Sequence, residues 1–139
     1  MEPILHLSLP ARDLAEAVDF YVEGLGCELG RVRPGFADVW FYGMQVTLHD
    51  APDQVRAPEP GGVHHFGVTL SASEMDALVT RAEAGGAVFV SPVSTDYPGT
   101  HRQQTKTKIL DPSGNVIEIK TYVDRAAALG HESPPDLPA

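Results

Sequence analysis

The sequence predicts an α+β fold in which one structural unit occurs twice. The order strand, helix, three strands repeats along the chain, and polar and apolar residues alternate within the strand segments. A linker rich in proline and glycine, at 51–62, separates modules at about 1–50 and 63–124. Each sheet has one apolar face, so the sheets must pack together or close on themselves.

The first module opens with a predicted strand at Pro3–Leu9. A helix comes next, at about Leu14–Gly24, where Asp13 can cap the first turn and apolar residues recur at helical spacing. Turn residues around Pro34 and at Gly43 divide the rest of the module into three strands. We expect these strands at Glu28–Val32, Phe36–Tyr42 and Gln45–His49.

The second module repeats this order. Its helix, Met75–Ala84, comes after a capping-box pattern from Ser71 to Glu74 and stops at a pair of glycines. A single domain at 1–124 is expected, and the proline-rich segment 125–139 is expected to be flexible. The predicted strands are Val63–Leu70, Ala87–Val90, Gln103–Leu110 and Val116–Tyr122, with a long loop at Ser91–Arg102.

Composition excludes several classes of function. The formal charge of −9, from 19 acidic and 10 basic residues, repels nucleic acid and anionic lipid, so neither is expected as a partner. No apolar run approaches the roughly 18 residues of a membrane span. The N-terminus lacks a basic-then-apolar signal, so we expect a cytoplasmic protein. The lone Cys27 excludes an internal disulfide and a cysteine-based zinc cluster.

Three predicted strands each carry one residue of metal-ligand type in comparable register: His6, His65 and Glu118. A polar side chain buried in a strand without a partner costs on the order of 1–3 kcal/mol. Two imidazoles and a carboxylate can satisfy one another by sharing a divalent ion, with coordination positions left open for a substrate. The sequence therefore predicts a metal site that does chemistry. His64 competes with His65, because a one-residue shift of register would exchange them.

Further polar residues are candidates for the reaction or for substrate binding. His49 ends the last strand of the first module and is either an acid/base or an exposed strand-end histidine. Ser8 shares the face of His6 and can orient a ligand. The candidates for substrate contacts in the second module are Lys108, Lys120, His101 and Gln104.

Five segments carry a family resemblance. They are His-Leu-Ser-Leu-Pro-Ala-Arg-Asp-Leu at 6–14, Phe-Tyr at 20–21, Gly-Leu-Gly at 24–26, His-Phe-Gly-Val at 65–68 and Leu-Asp-Pro-Ser-Gly-Asn-Val-Ile-Glu at 110–118. In these segments the chain resembles the vicinal oxygen chelate superfamily of glyoxalases, bleomycin and fosfomycin resistance proteins and extradiol dioxygenases. Within it, the chain is most similar to small single-domain, dioxygenase-like bacterial proteins.

The resemblance implies two βαβββ modules that form a half-barrel around one divalent metal ion. It places the ligands at His6, His65 and Glu118, and it places the poor ligand Thr47 at the remaining position. Fe2+ is favoured, and Mn2+, Zn2+ or Ni2+ are alternatives. A homodimer is also implied; whether His6 comes from one subunit and the other two ligands from the second stays open.

The function expected from these residues and the resemblance is a metal-dependent enzyme. Its substrate would be a small molecule with two vicinal oxygens, and extradiol-dioxygenase-like chemistry is favoured. Isomerase, lyase or thiol-transferase chemistry of the glyoxalase type is the first alternative. The second is a metal-free protein that sequesters drugs, for which an acidic surface suits cationic ligands. The third is a structural or regulatory module that has kept the fold alone.

Overall fold

The computed structural model describes residues 1–131 and places their strands in two open four-stranded sheets, one per module. The strands are β1 (His6–Ala11), β2 (Glu28–Arg33), β3 (Phe36–Phe41), β4 (Met44–Asp50), β5 (Phe66–Leu70), β6 (Val88–Asp96), β7 (Gln104–Leu110) and β8 (Val116–Tyr122). Their order is β1-β4-β3-β2 in the first sheet and β5-β8-β7-β6 in the second. In each sheet the first strand runs parallel to the last, and the other pairs are antiparallel. The predicted α+β fold of two βαβββ modules is confirmed.

The helices begin at the predicted caps. Asp13 accepts a hydrogen bond from the Glu16 N–H at the start of α1 (Leu14–Asp19), and the chain continues into a π-helical turn that ends at Gly24. Helix α2 (Ala72–Ala84) starts three residues before the prediction, because the capping box at Ser71 orders its first turn. A short α3 (Arg125–Ala128) comes directly after Asp124. The last part of the segment expected to be flexible, 132–139, lies outside the described residues.

One hydrophobic core serves both modules. The inward faces of the sheets contribute fully buried side chains, and the rings of Phe41 and Phe66 meet edge-on at a centroid distance of 5.4 Å between the sheets. Because strand side chains alternate, the opposite faces keep the polar residues. The fully buried aliphatic side chains of the strands include Val39, Val46, Leu48, Ile109, Ile117 and Ile119.

Three predicted strands have wrong boundaries. Strand β1 spans His6–Ala11, where Pro3–Leu9 was expected. Strand β6 extends to Asp96, since Ser94, Thr95 and Asp96 pair with β7, and the expected long loop shrinks to a turn at 97–103. Strand β5 begins at Phe66, so His65 lies directly before the strand. None of the described helices is long and apolar enough to cross a membrane.

Candidate functional site

Glu118 lies in the middle of the second sheet. Strand β8 places it between Gly67 of β5 and Lys108 of β7. Its neighbours Ile117 and Ile119 are buried in the core, so alternation turns Glu118 to the opposite, polar face. The Glu118 side chain is 15% exposed there, which makes an unpartnered charge costly.

His65 faces this carboxylate. Its Nε2 is 3.9 Å from Oε2 of Glu118, and its Nδ1 is 2.7 Å from the carbonyl oxygen of Val63. A carbonyl only accepts hydrogen bonds, so Nδ1 carries the proton, and in the neutral ring Nε2 is the acceptor nitrogen beside Glu118. A cation could bind to both of these acceptors.

Two lysines flank the same carboxylate. Nζ of Lys120 is 3.7 Å from Oε1 of Glu118, and Nζ of Lys108 is 4.0 Å from Oε2. These distances are too long for direct hydrogen bonds, so the ammonium groups neutralise Glu118 without being fixed by it. Both lysine side chains are about one-third exposed and can reach a ligand on this face.

The spacing of the His65–Glu118 pair is close to that of two ligands of a divalent ion. Ligand atoms about 2.1 Å from a shared ion lie about 3.0 Å apart at a right angle and about 3.4 Å apart at the tetrahedral angle, so the observed 3.9 Å would shorten by roughly half an ångström on metal binding. The hydrogen bond from Nδ1 to a backbone carbonyl is the support that metal-bound imidazoles usually have.

His6 does not complete this group within one chain. It lies exposed at the start of β1, in the other sheet. Among residues 1–131, no three His, Cys, Asp or Glu side chains form a group that could hold a metal ion. The three expected ligands therefore do not meet within one chain, because β1 and β5 belong to separate sheets.

The polar face of the first sheet carries the other candidates from the first module. Ser8 and His49 line one cleft of about 490 Å³, and the His49 ring lies 6.1 Å from the ring of Phe36. In the second module, Gln104 shares the polar side of β7 with Lys108, four residues away. His101 is exposed in the turn between β6 and β7.

Asp38 is a buried carboxylate near the candidate residues of the first sheet that the sequence analysis missed. It is 1% exposed, and its carboxylate accepts hydrogen bonds from Thr47 Oγ1 at 2.7 Å and from Arg31 Nε at 2.6 Å. Burial alone raises the pKa of Asp38, but these two bonds and the Arg31 charge outweigh it, so the pKa lies below its ordinary value. An acidic residue within the apolar run of β3 was the available signal.

The lone Cys27 is a member of the hydrophobic core. It is buried, and burial raises the pKa of its thiol to about 11 despite the opposing charge of Arg81. The thiol therefore stays protonated near neutral pH and packs as a small apolar side chain.

The duplicated βαβββ module with a polar face on each open sheet defines the class as the vicinal oxygen chelate fold. The model of the Glyoxalase/Bleomycin resistance protein/Dioxygenase superfamily matches residues 3–119, and the chain belongs to this superfamily.

Relatives agree with this assignment. A glyoxalase/bleomycin resistance protein/dioxygenase from Alicyclobacillus acidocaldarius has 34% identity and a TM-score of 0.79, with 90% of this chain and 95% of that chain covered. The virulence protein STM3117 of Salmonella typhimurium is 27% identical over 127 residues, which cover 88% of this chain and 86% of that protein. The fosfomycin resistance protein FosX from Listeria monocytogenes shares the fold, with 13% identity, a TM-score of 0.74 and coverage of 91% and 98%.

Proposed function

We propose that the protein is a metal-dependent enzyme that acts on a small molecule through two adjacent oxygen atoms. The observation that carries this proposal is the opposition of His65 Nε2 and Glu118 Oε2, with the imidazole oriented by the Val63 carbonyl. A divalent ion between the two acceptors would satisfy both. Membership of a superfamily that includes metalloenzymes supports the same conclusion.

The third ligand in this proposal is His6 from a second copy of the chain. Strands β1 and β5 are edge strands of their sheets, so within residues 1–131 no further strand pairs with the outer side of either one. Ile4 and Leu5 before β1, and Val63 before β5, expose apolar side chains beside these edges. A homodimer that covers both edges would bring His6 of one copy to His65 and Glu118 of the other.

When bound, the ion supplies Lewis acidity to two vicinal oxygens of the substrate. His65 and Glu118 would hold it, and Lys108 and Lys120 would neutralise negative charge on the substrate. The copy that supplies His6 would also bring its Ser8–His49 cleft to the site, where His49 would accept a proton from a substrate hydroxyl. The two lysines favour an anionic ligand over a cationic drug, although the whole chain is acidic.

Ring cleavage of a catechol is the reaction we favour, with Fe2+ as the metal. Two imidazoles and a carboxylate, from His6, His65 and Glu118, would suit this ion, which would supply the redox chemistry with dioxygen. Dioxygen supplies both oxygen atoms that enter the ring-opened product. Mn2+, Zn2+ or Ni2+ in the same site would instead support isomerase, lyase or thiol-transfer chemistry.

Metal titration tests the proposal directly. His65→Ala and Glu118→Ala should each lose most of the calorimetrically measured affinity for Fe2+ under anaerobic conditions, and for Mn2+, Zn2+ and Ni2+. The matched control is His64→Ala, which removes the adjacent exposed imidazole and should bind metal like the wild type. Wild-type affinity in both His65→Ala and Glu118→Ala would refute the metal site.

Subunit mixing tests the origin of His6. Neither His6→Ala nor Glu118→Ala alone should contain an intact site. Random mixing of the two variants should restore about a quarter of the wild-type sites, because half of the dimers are mixed and each has one intact site. A monomer mass by light scattering at micromolar concentration, with metal still bound, would contradict the shared site.

A further inference from the structure

A β-bulge brings Arg31 against Asp38. Strands β2 and β3 pair at Leu29 and again at Val32, which leaves both Gly30 and Arg31 opposite Asp38. A Cβ atom on Gly30 would lie 3.2 Å from the Asp38 Cβ, so a larger residue would crowd the carboxylate. Bulges redirect side chains, and this one allows Nε of Arg31 to donate to Asp38.

Asp38 holds the Arg31 guanidinium by one edge only. The 2.6 Å bond from Nε occupies Oδ2, and the Thr47 hydroxyl occupies Oδ1. Within residues 1–131, the two terminal Nη groups of Arg31 donate no hydrogen bond, and the side chain is 59% exposed. The forked end of the guanidinium is therefore oriented and still accessible.

Phe36 supports the same group from a second direction. The guanidinium carbon of Arg31 lies 5.7 Å from the centroid of the Phe36 ring, which is a cation–π distance. A cation held by a buried carboxylate and an aromatic ring loses little conformational freedom when it binds a ligand. The His49 ring adjoins Phe36, so Arg31 and the Ser8–His49 cleft share one face of the sheet.

A purely structural ion pair would use the guanidinium differently. The strongest arginine–carboxylate arrangement is bidentate, with two parallel N–H donors on the two oxygens. Here Asp38 accepts only one hydrogen bond from the guanidinium, at Oδ2, and its second oxygen, Oδ1, accepts a hydrogen bond from the Thr47 hydroxyl. The two Nη groups, the paired donors that match an oxyanion, make no hydrogen bond to Asp38.

We propose that Arg31 is an anchor for an oxyanion, a carboxylate or a phosphoryl group, on the polar face of the first sheet. This proposal rests on the proposed function in one respect, because it assigns an anionic group to the substrate of that enzyme. The anion would accept two hydrogen bonds from the Nη groups of Arg31. Asp38 and Thr47 act as positioning residues that hold the guanidinium in place.

Anion binding can be measured without metal. Benzoate and inorganic phosphate are titrated into the full chain in the presence of a chelator, with calorimetry and the fluorescence of Trp40 as readouts. Trp40 suits this purpose because it is the only tryptophan and its Nε1 would lie 3.3 Å from a Cβ on Gly30, beside the bulge. Benzamide serves as the neutral analogue, and the two anions distinguish a carboxylate from a phosphoryl ligand.

The variants separate orientation from charge. Arg31→Gln should weaken binding of the preferred anion by about tenfold or more, since it removes charge-assisted hydrogen bonds. Arg31→Lys, which keeps the charge without the fork, should give an intermediate loss. The matched control is Arg33→Gln, which removes the same charge from the same strand, where Arg33 donates to the Val32 carbonyl. It should stay within about twofold of the wild type, because surface charge alone contributes little.

The outcomes decide the proposal independently of the metal site. Circular dichroism and thermal melting first establish that each variant is folded. Equal binding by Arg31→Gln and the wild type, equal losses in Arg31→Gln and Arg33→Gln, or no binding of either anion at millimolar concentration would overturn it. Loss of anion binding in Arg31→Gln with unchanged metal affinity supports it. A wild type that binds the anion but no metal would refute the proposed function and leave the anchor standing.

Discussion

The Tyr21 hydroxyl donates a 2.8 Å hydrogen bond to the Asp111 carboxylate in the core, and this contact joins the two modules. Tyr21 lies just after α1 in the first module, and Asp111 opens the turn between β7 and β8. The same carboxylate accepts hydrogen bonds from the backbone N–H groups of Ser113 and Asn115 and from the Asn115 side chain. One buried carboxylate therefore orders the turn before Glu118 and anchors it to the first module.

Tyr21→Phe should destabilise the protein by about 1–3 kcal/mol, because it leaves a buried acceptor with one partner fewer. Burial, and then the nearby Asp111, hold the pKa of Tyr21 well above its ordinary value, so the phenol remains a donor throughout the neutral range. Urea unfolding measures the change. Tyr97→Phe removes an exposed hydroxyl and should be nearly neutral; equal midpoints for wild type and Tyr21→Phe would contradict the role of this bond.

Gly67→Ala should displace Glu118 of the candidate metal site, because Gly67 on β5 pairs with Glu118 on β8. An added Cβ would overlap the backbone oxygen of Glu118, so β5 and β8 would have to move apart. Overpacking of this kind typically costs about 1–3 kcal/mol. The control is Gly24→Ala, where the nearest atom is a Phe20 ring carbon at 3.8 Å and no loss is expected. Unfolding free energy and metal affinity should both fall in Gly67→Ala; an unchanged unfolding free energy would contradict the close approach.

Much of the fold could be predicted because its signals are local. Alternation located the strands, and the turn before Asn115 located the start of β8 correctly. The end of β6 was missed because Pro92 and several polar residues favour a loop, whereas an edge strand tolerates proline.

The site was predictable only in part. The shared face of His65 and Glu118 can be read from register within one module. The distance to His6 depends on how sheets and copies of the chain associate, which no local pattern encodes. The Arg31–Asp38 contact depends on a bulge, and one extra residue changes which side chains share a face.

The buried Asp38 should make stability depend on pH. Its pKa is lowered in the folded protein, so its contribution is present above the unfolded-state value of about 3.9 and is lost as pH falls through the folded value. The difference in unfolding free energy between wild type and Asp38→Asn should therefore be largest near neutral pH and shrink below about pH 4. Urea midpoints from pH 7 to pH 2.5 measure it, and a constant difference would show that the Asp38 charge contributes nothing.

Replacement of His49 tests the reaction itself. The Fe2+ form should consume dioxygen with a catechol, and His49→Ala should lower turnover by about a hundredfold or more, the range expected for a general base. Its metal affinity should be unchanged, because His49 is not among the proposed ligands. His64→Ala provides the control, with wild-type turnover expected.

The placement of His49 gives this prediction its physical basis. It shares the cleft with Ser8, on the polar face that also carries Arg31, so a ligand held by the guanidinium would lie on the same face as the imidazole. In the proposed homodimer, the copy that supplies His6 would bring this face to His65 and Glu118 of the other copy, where the imidazole would take a proton from a substrate hydroxyl. An oxygen electrode across a panel of catechols, with and without a carboxylate substituent, measures the reaction. The Fe2+ form could instead fail to consume dioxygen while the Mn2+, Zn2+ or Ni2+ form shows isomerase or thiol-transfer activity. That result would show that the dioxygenase assignment is wrong and that the metal site serves another reaction.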